Sequence, residues 1–565
     1  MGKGDSMFAF AVAVQGRAVP LLRCLLAPMS KQHPGLRCCS SPAGGSQPIP
    51  VIKIPRRLQL RAEQAGARRR KKLERVRVPQ AGKLLIVSKR PEFNQHSRQT
   101  VAKFQQPILV SQGWKHRLSF GDHFLINNTR DRAPFLPEPE EQDRDPDESQ
   151  ARQQRNATFE ELGLLPELVE ALKETGITHP TAVQQQIIPH LLRGKNVLGA
   201  AETGSGKTLS YLLPLMQKLK TERKRIEEGT SPRSLVLVPS RELSDQVKTV
   251  AKGIGHHLGV SVTVIGGGRG IYKVQKVLKR CGDILVATPG ALWRSLKRNF
   301  INLGSLRYFV IDEADTLFDE SFIGLVEDIL SGAKITSSPS DYSDFEIQAQ
   351  LVVIGATFPN GVGDLLSKVT DLGSITTIKS KRLHFLMPHI KQKFLKLKRT
   401  DKLAELLQII KEHAIEKQES GILVFCNSAS TVNWLGYMLD DHNIKHLRLQ
   451  GQMPAEVRTG IFNTFQKRLV DVLICTDIAS RGLDSKGVKL VVNYDFPPTL
   501  QDYIHRAGRV GRVGSKPHCT VISFVTHLWD VELVQKIETA ARKRTSLPGM
   551  KTSIRPPVSK TDSEL

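Results

Sequence analysis

The chain has 565 residues, 40% of them hydrophobic, with a formal net charge of +27. That length supports two or three domains with proper cores, and no apolar run reaches the ~18 residues a membrane helix needs. The seven cysteines are scattered without metal-ligand spacing, which argues against a disulfide framework or zinc site and for a reducing compartment.

Positive charge on this scale points to a polyanionic partner, and it is unevenly placed. Residues 1–127 hold 23 Lys and Arg against 5 Asp and Glu, so +18 of the +27 lies there. Within that arm, residues 1–62 contain a single acid, Asp5, and nine basic residues. A short apolar stretch from Met7 to Val14 is followed by Arg17, Arg23 and Arg37. Such an Arg-rich, acid-poor, amphipathic leader has the composition of a mitochondrial transit peptide, with a secretory signal as the competing reading. The run Arg68-Arg69-Arg70-Lys71-Lys72 reads as a nuclear or nucleolar address, or as an RNA-binding patch. Residues 63–158 are expected to be an extension, basic and then acidic, largely disordered. From 128 onward Pro, Asp, Glu and Gln displace large apolar residues.

From residue 159 the pattern changes to short β-branched runs alternating with amphipathic stretches. LVLVPS (235–240), DILVATPG (283–290), YFVIDEAD (308–315) and QLVVIGAT (350–357) read as buried parallel strands ending in loops. A second set follows in ILVFCN (422–427), HLRLQG (446–451), DVLICTD (471–477) and LVVNYDFP (490–497). Two consecutive α/β domains are implied, 159–382 and 383–548, each a parallel sheet covered by helices. A polar, serine-rich surface loop is expected over 331–343, and a loose tail over 549–565.

Two motifs carry chemistry. Ala201-Glu202-Thr203-Gly204-Ser205-Gly206-Lys207-Thr208 follows the apolar NVLGA and precedes the helix-like LSYLLPLMQKL, the strand–loop–helix context of a phosphate loop. Its glycines let backbone N–H groups approach phosphate oxygens, Lys207 neutralises charge, and the Thr208 hydroxyl suits Mg²⁺. The general pattern opens with Gly, where Ala201 stands. Asp312-Glu313-Ala314-Asp315 closes the strand YFVI about a hundred residues later. Asp312 is placed to hold Mg²⁺ through water, and Glu313 to polarise an attacking water. A glycine-rich turn and a solvated acidic turn are the bland alternatives; the spacing of the two motifs argues against both.

Together these residues resemble the DEAD-box family of RNA helicases over about 159–530, which implies two RecA-like domains closing on ATP and single-stranded RNA. The family's adenine-reading segment is matched by Gly176 to Gln184, with Gln184 implied at the adenine edge and Phe159 as the aromatic that stacks on the base. Pro239 to Leu243, Gly266-Gly267 and Thr288-Pro289-Gly290 are similar to its RNA-backbone motifs, implying contacts by Arg241, Gly267 and Thr288. Ala291 replaces an Arg there, with Arg294 as a substitute. Gly355-Ala356-Thr357 stands where the family has Ser-Ala-Thr, coupling ATP to lobe closure, and lacks the hydroxyl. In the second domain, Thr476 is implied at the RNA and Asp484 at the ribose. His505 to Arg512 implies a coupling role for His505 and arginine fingers at Arg509 and Arg512. Leu449-Gln450-Gly451 with Arg458 departs from the family's Leu-His-Gly. The spelling of DEADTLFDESF, GATFP and VFCNSASTVNWLG is similar to mitochondrial members, which implies assembly of the mitochondrial ribosome's large subunit, RNA and assembly proteins as partners, and a monomer. An ATP-gated clamp with little unwinding and a DNA translocase are the rival readings.

Overall fold

The computed structural model describes residues 83–97, 99, 101, 105–127, 157–222, 231–268, 270–336, 348–358, 362–380, 383–387, 389–415, 420–477, 487–511 and 519–550. The chain divides into Met1–Pro79 and Gln80–Leu565, and everything below concerns the second unit. The expected transit segment 1–62, the basic run 68–72, Asp484, Arg512 and the tail from 551 lie outside the described residues, as do 128–156 of the acidic stretch and 337–347 of the serine-rich loop.

Three strands precede the first lobe: β1 (Leu84–Ser88), β2 (Gln95–His96) and β3 (His123–Ile126). The first lobe holds β4 (Val197–Ala200), β5 (Ser234–Leu237), β6 (Val262–Ile265), β7 (Ile284–Ala287), β8 (Tyr308–Ile311), β9 (Gln350–Gly355) and β10 (Thr376–Lys379). They form one parallel sheet ordered β10-β4-β9-β8-β5-β7-β6. Strand alternation divides the apolar residues between its faces: Leu235 and Leu237 enter one core, Val236 and Val238 the other. With both faces covered by helices, the strands read as continuous apolar runs, and their chemistry is confined to the loops at their ends.

The second lobe contributes β11 (Ile390–Lys396), β12 (Gly421–Phe425), β13 (His446–Leu449), β14 (Val472–Cys475), β15 (Val488–Asn493) and β16 (Cys519–Val525). Its parallel order, β13-β14-β12-β15-β16-β11, continues into β3-β1-β2, so the sheet has nine strands. Lobe one ends on Lys379 of β10, and β11 opens lobe two at Ile390.

The described residues between 84 and 126 form strands and short helical turns inside the extension expected over 63–158 to be largely disordered. β3 runs antiparallel along β11 with Phe124 opposite Phe394, and those rings stack at 4.9 Å. Trp114, fully buried, leans on Phe124 at 5.5 Å and donates from Nε1 to Asp122. The helix Leu528–Lys543 supplies the polar half of the joint. Its buried Glu538 accepts from Val110 N (2.9 Å), Ser111 N (3.0 Å), Ser111 Oγ (2.6 Å) and Arg542 Nε (2.9 Å). Arg542 in turn donates to Phe93 O at 2.9 Å. A segment too short to bury its own core thus folds against lobe two, covering the sheet edge that β11 would otherwise expose.

Replacing Glu538 with Ala strands the Arg542 charge and three donors inside this joint, at a cost of about 3–5 kcal/mol. Hydrogen–deuterium exchange should then show lost amide protection across 84–126, and protection equal to wild type would contradict the role given to Glu538.

Candidate functional site

β4 delivers the chain into the phosphate loop, and the helix Lys207–Glu222 leaves it. Gly204 and Gly206 take φ of 80° and 87°, a left-handed turn that favours glycine and curls the loop around its own amides. Lys207 Nζ donates to Ala201 O at 3.0 Å, so its ammonium closes the loop. Thr181 and Gln184 lock the loop from behind: Thr181 Oγ1 donates to Ser205 O (2.8 Å) and Gln184 Nε2 to Gly206 O (3.1 Å). Gln184 also accepts from Thr181 N in a capping box. Thr203 Oγ1 is enclosed without a hydrogen-bond partner, a hydroxyl donor of the kind a bound phosphate group would satisfy.

At the end of β8, burial pushes the Asp312 carboxyl up to about 6, with Glu313 adding to the rise and Lys207 and Tyr211 opposing it. The Tyr211 hydroxyl donates to Asp312 at 2.8 Å and also hydrogen-bonds with Thr208. Thr208 and Asp312, the two expected Mg²⁺ residues, are therefore joined through one tyrosine. A buried carboxylate crowded by a second acid suits a divalent cation, which would restore its charge balance. Glu313 takes the left-handed conformation (φ 50°, ψ 50°), and its N–H donates to Asp312 Oδ1 at 2.9 Å.

The lobes meet at Asp315. Its Oδ2 accepts from His505 Nε2 of lobe two at 3.0 Å and from Ala356 N at 3.4 Å, while His384 Nε2 donates to Ala356 O at 2.7 Å. Burial works against the Asp315 charge, yet His505, Lys207 and the Ala356 amide together hold its carboxyl down to about 2. Gly508, one turn past His505, abuts Thr203 of the phosphate loop so closely that no side chain fits. A side-chain carbon at Gly355 would sit 3.2 Å from Thr357 O and 3.4 Å from Ala314 Cβ, so this site is packed around the glycine. A second bridge pairs Arg458 Nε with the buried Glu242 carboxylate at 3.3 Å, as a charge contact without hydrogen-bond alignment.

The expected RNA residues of lobe one are brought together. Thr288 N donates to Ile265 O, which precedes Gly266-Gly267, and Gly266 lies against the Arg241 side chain. Arg241 Nε and Nη1 are enclosed without a hydrogen-bond partner, in an arrangement that suits an anionic oxygen. Arg294 Nη1 comes within 3.6 Å of where a side-chain carbon would stand on Gly290, beside the position Ala291 leaves without an arginine. In lobe two, Thr476 closes β14, and Arg509, 4% exposed, donates from Nε to His505 O.

Phe159 does not fit the stacking role: at 1% exposure its ring is taken by the core around Leu164 and Leu168. Gln184 is spent on the phosphate loop, with one amide hydrogen beyond those bonds. Three residues received no role from sequence. Tyr211 is hidden inside an apolar helix, and His384 sits in the joint between lobes. Arg506 is buried and bonded to Asp477 (2.6 and 2.5 Å), Asn427 and Asp495 O, where it organises the loops of lobe two. Asp315 was visible in its tetrapeptide, but its partners lie 41 and 190 residues away.

The DEAD/DEAH box helicase family matches residues 181–365, and the helicase conserved C-terminal domain matches 401–514. The chain is 53% identical over 524 residues to the Mus musculus protein named "Probable ATP-dependent RNA helicase DDX28", covering 91% of this chain and 94% of that one. Identity to the Homo sapiens protein of the same name is also 53%, with the same coverage. Among solved structures, S. cerevisiae Dbp5 bound to RNA and ADP BeF3 aligns with a TM-score of 0.56 and 25% identity, over 68% of this chain and 94% of that one.

A carboxyl lowered in the folded state contributes stability that is fully present above its ordinary pKa and is lost as pH falls from there through the lowered value. For Asp315 that loss begins near its ordinary 3.8 and is complete below about 2, so the bridge to His505 should survive acidification from pH 7 to 5. Asp315→Asn removes one charged partner of the bridge and should weaken lobe closure by about 1.5–3 kcal/mol, roughly ten- to hundredfold. Interlobe fluorescence transfer with ATP analogue and RNA measures both; closure by Asp315→Asn at wild-type RNA concentrations would remove Asp315 from the coupling.

Proposed function

Because the chain belongs to the DEAD/DEAH box helicases and is an ATP-dependent RNA helicase of that family, we propose that it separates RNA strands locally by closing its two lobes on ATP and one RNA strand. The observation that carries this reading is the Asp315 oxygen shared between Ala356 of lobe one and His505 of lobe two. It lies one residue from Ala314 and three from Asp312, so the state of the nucleotide site is linked mechanically to the lobe interface.

ATP enters as substrate. The amides of Ala201 to Thr208 and the Lys207 ammonium receive its phosphates, with Lys207 exchanging its bond to Ala201 O for phosphate oxygen. Mg²⁺, when bound, neutralises charge on the phosphates, and Thr208 and Asp312 would hold it. Glu313 orients and deprotonates the attacking water. Arg509 and Arg512 supply planar, fork-shaped charge to the γ-oxygens as the lobes close, and Asp484 holds the ribose. Arg241, Gly267, Thr288 and Thr476 grip phosphates and sugar without reading bases, which makes binding independent of sequence. The 2′-hydroxyl separates RNA from DNA.

A second reading, an ATP-gated clamp that rarely unwinds, is favoured by Gly355, whose packing leaves the coupling motif without its hydroxyl. Glu313→Gln keeps shape and removes the base, so it should bind ATP, close on RNA and persist with almost no turnover. Single-turnover release of a strand from a short duplex distinguishes the readings: a helicase variant completes about one round and stalls, whereas a clamp releases nothing in either form. Hydrolysis at the wild-type rate by Glu313→Gln would exclude Glu313 from the chemistry.

The acid-poor leader supports delivery to the mitochondrion, and similarity to mitochondrial members of the family supports work on ribosomal RNA in large-subunit assembly. A reporter fused to residues 1–62 should enter mitochondria and one fused to 63–127 should not. Nuclear accumulation of the first fusion would overturn this assignment in favour of the run at 68–72.

A further inference from the structure

Strand order in lobe two sets several chain segments side by side along one sheet edge. β14, β12, β15, β16 and β11 run parallel and end there, while β3, being antiparallel, begins there. From one side the edge carries Thr476, Asn427, Asp495, then Thr526 to Trp529, then Lys398 and Arg399, and finally Arg117 to Phe120. Five strand spacings of about 4.8 Å put the last segment about 24 Å from the first, a span of several nucleotides.

The far half of this edge is aromatic and basic. Trp529 is 65% exposed and stacks on His527 at 4.3 Å with planes 7° apart. Arg399 Nη2 donates to His527 Nε2 at 3.1 Å. Burial, with Arg399 and Lys402, lowers the His527 pKa against the pull of Asp530 and Asp495. Lys396 and Lys398 flank Phe120 at 5.7 and 5.8 Å, and Lys115, Arg117 and Arg399 are exposed nearby. Leu118 and Leu528 are 99% and 59% exposed, so neither serves a core. Most acids on this edge are engaged: Asp122 by Trp114 and Arg90, Asp495 by Lys402, Glu532 by Lys115, and Asp530 by the backbone of Thr526 and His527. Glu532 and Asp401, the latter bonded to Thr400, are the exposed acids among them.

We propose that this surface, half from the N-terminal extension and half from lobe two, is a second RNA platform that takes the strand leaving the interlobe groove. An unpaired base stacks on Trp529 while Lys398, Arg399 and Arg117 meet its phosphates. Exposed aromatics beside tracked cations are the means by which proteins hold single strands without reading sequence. Continuity of the edge with Thr476 argues for RNA over a protein partner. The proposal rests on the helicase reading and adds a length preference to it: RNA long enough to reach the platform binds more tightly than RNA that fills only the groove.

The test uses the full chain and the RNA concentration giving half-maximal ATPase, with an unstructured strand of about 8 nucleotides and one several times longer. Wild type should favour the longer strand. Trp529→Ala with Lys398→Ala should leave the short strand unchanged and raise the requirement for the long one by about 5- to 50-fold, with a shallower salt dependence. Trp529→Phe, which retains a stacking ring, should recover most of the loss. Equal loss on both strands, no loss on the long strand, or a wild type indifferent to length would each overturn the platform, the last pointing to a protein partner. If RNA of neither length stimulates wild type, the helicase reading itself falls.

Discussion

The buried carboxylate of Asp315 is the constraint on which the functional arrangement depends. It stands at the end of a parallel strand, where lobe-one chemistry is confined to loops, and its one oxygen serves both Ala356 of its own lobe and His505 of the other. A charge so enclosed is costly unless its partners stay in place. The lobes therefore meet in a defined register, and the Gly508 backbone fits against Thr203 because no side chain intervenes. Asp312, three residues earlier, is in the opposite condition. Buried beside Glu313 and held by Tyr211, it is pushed toward its neutral form, an environment that a divalent cation would relieve.

The two carboxylates of one tetrapeptide thus divide the work. One is stabilised by protein partners and holds the lobes together; the other is left short of positive charge in the nucleotide pocket. Their closeness gives a physical route from nucleotide to lobe interface that needs no long chain of intermediates.

The nine-stranded sheet of lobe two follows a different logic. β11 would present an open edge, and the extension fills it with β3, burying Trp114 and Phe124 against Phe394 and using Glu538 to satisfy the amides of Val110 and Ser111. Since β1, β2 and β3 precede lobe one in the chain yet join the sheet of lobe two, the extension adds a second covalent connection between lobes beside the joint at 380–389.

Much of the candidate site was legible in the sequence, because phosphate loops and acidic strand ends are local: Lys207, Thr208, Asp312 and Glu313 need only neighbours in the chain to be singled out. The parallel sheets were legible for the same reason, since a strand buried on both faces is a short, continuous apolar run. What depended on distant residues could not be read. LLIVS at 84–88 is as apolar as the other strands, but it becomes one by pairing with β3, which itself lies on the β11 edge of lobe two more than 250 residues later. Phe159 and Gln184 were in the expected positions, yet packing assigned the first to the core and hydrogen bonding gave the second to the phosphate loop. Tyr211, His384 and Arg506 acquire their roles from partners at long separations in the chain. The sequence by itself determined the chemistry at the strand ends; the tertiary structure decided which charges are buried together, because burial and pairing are properties of the space between segments and not of any one of them.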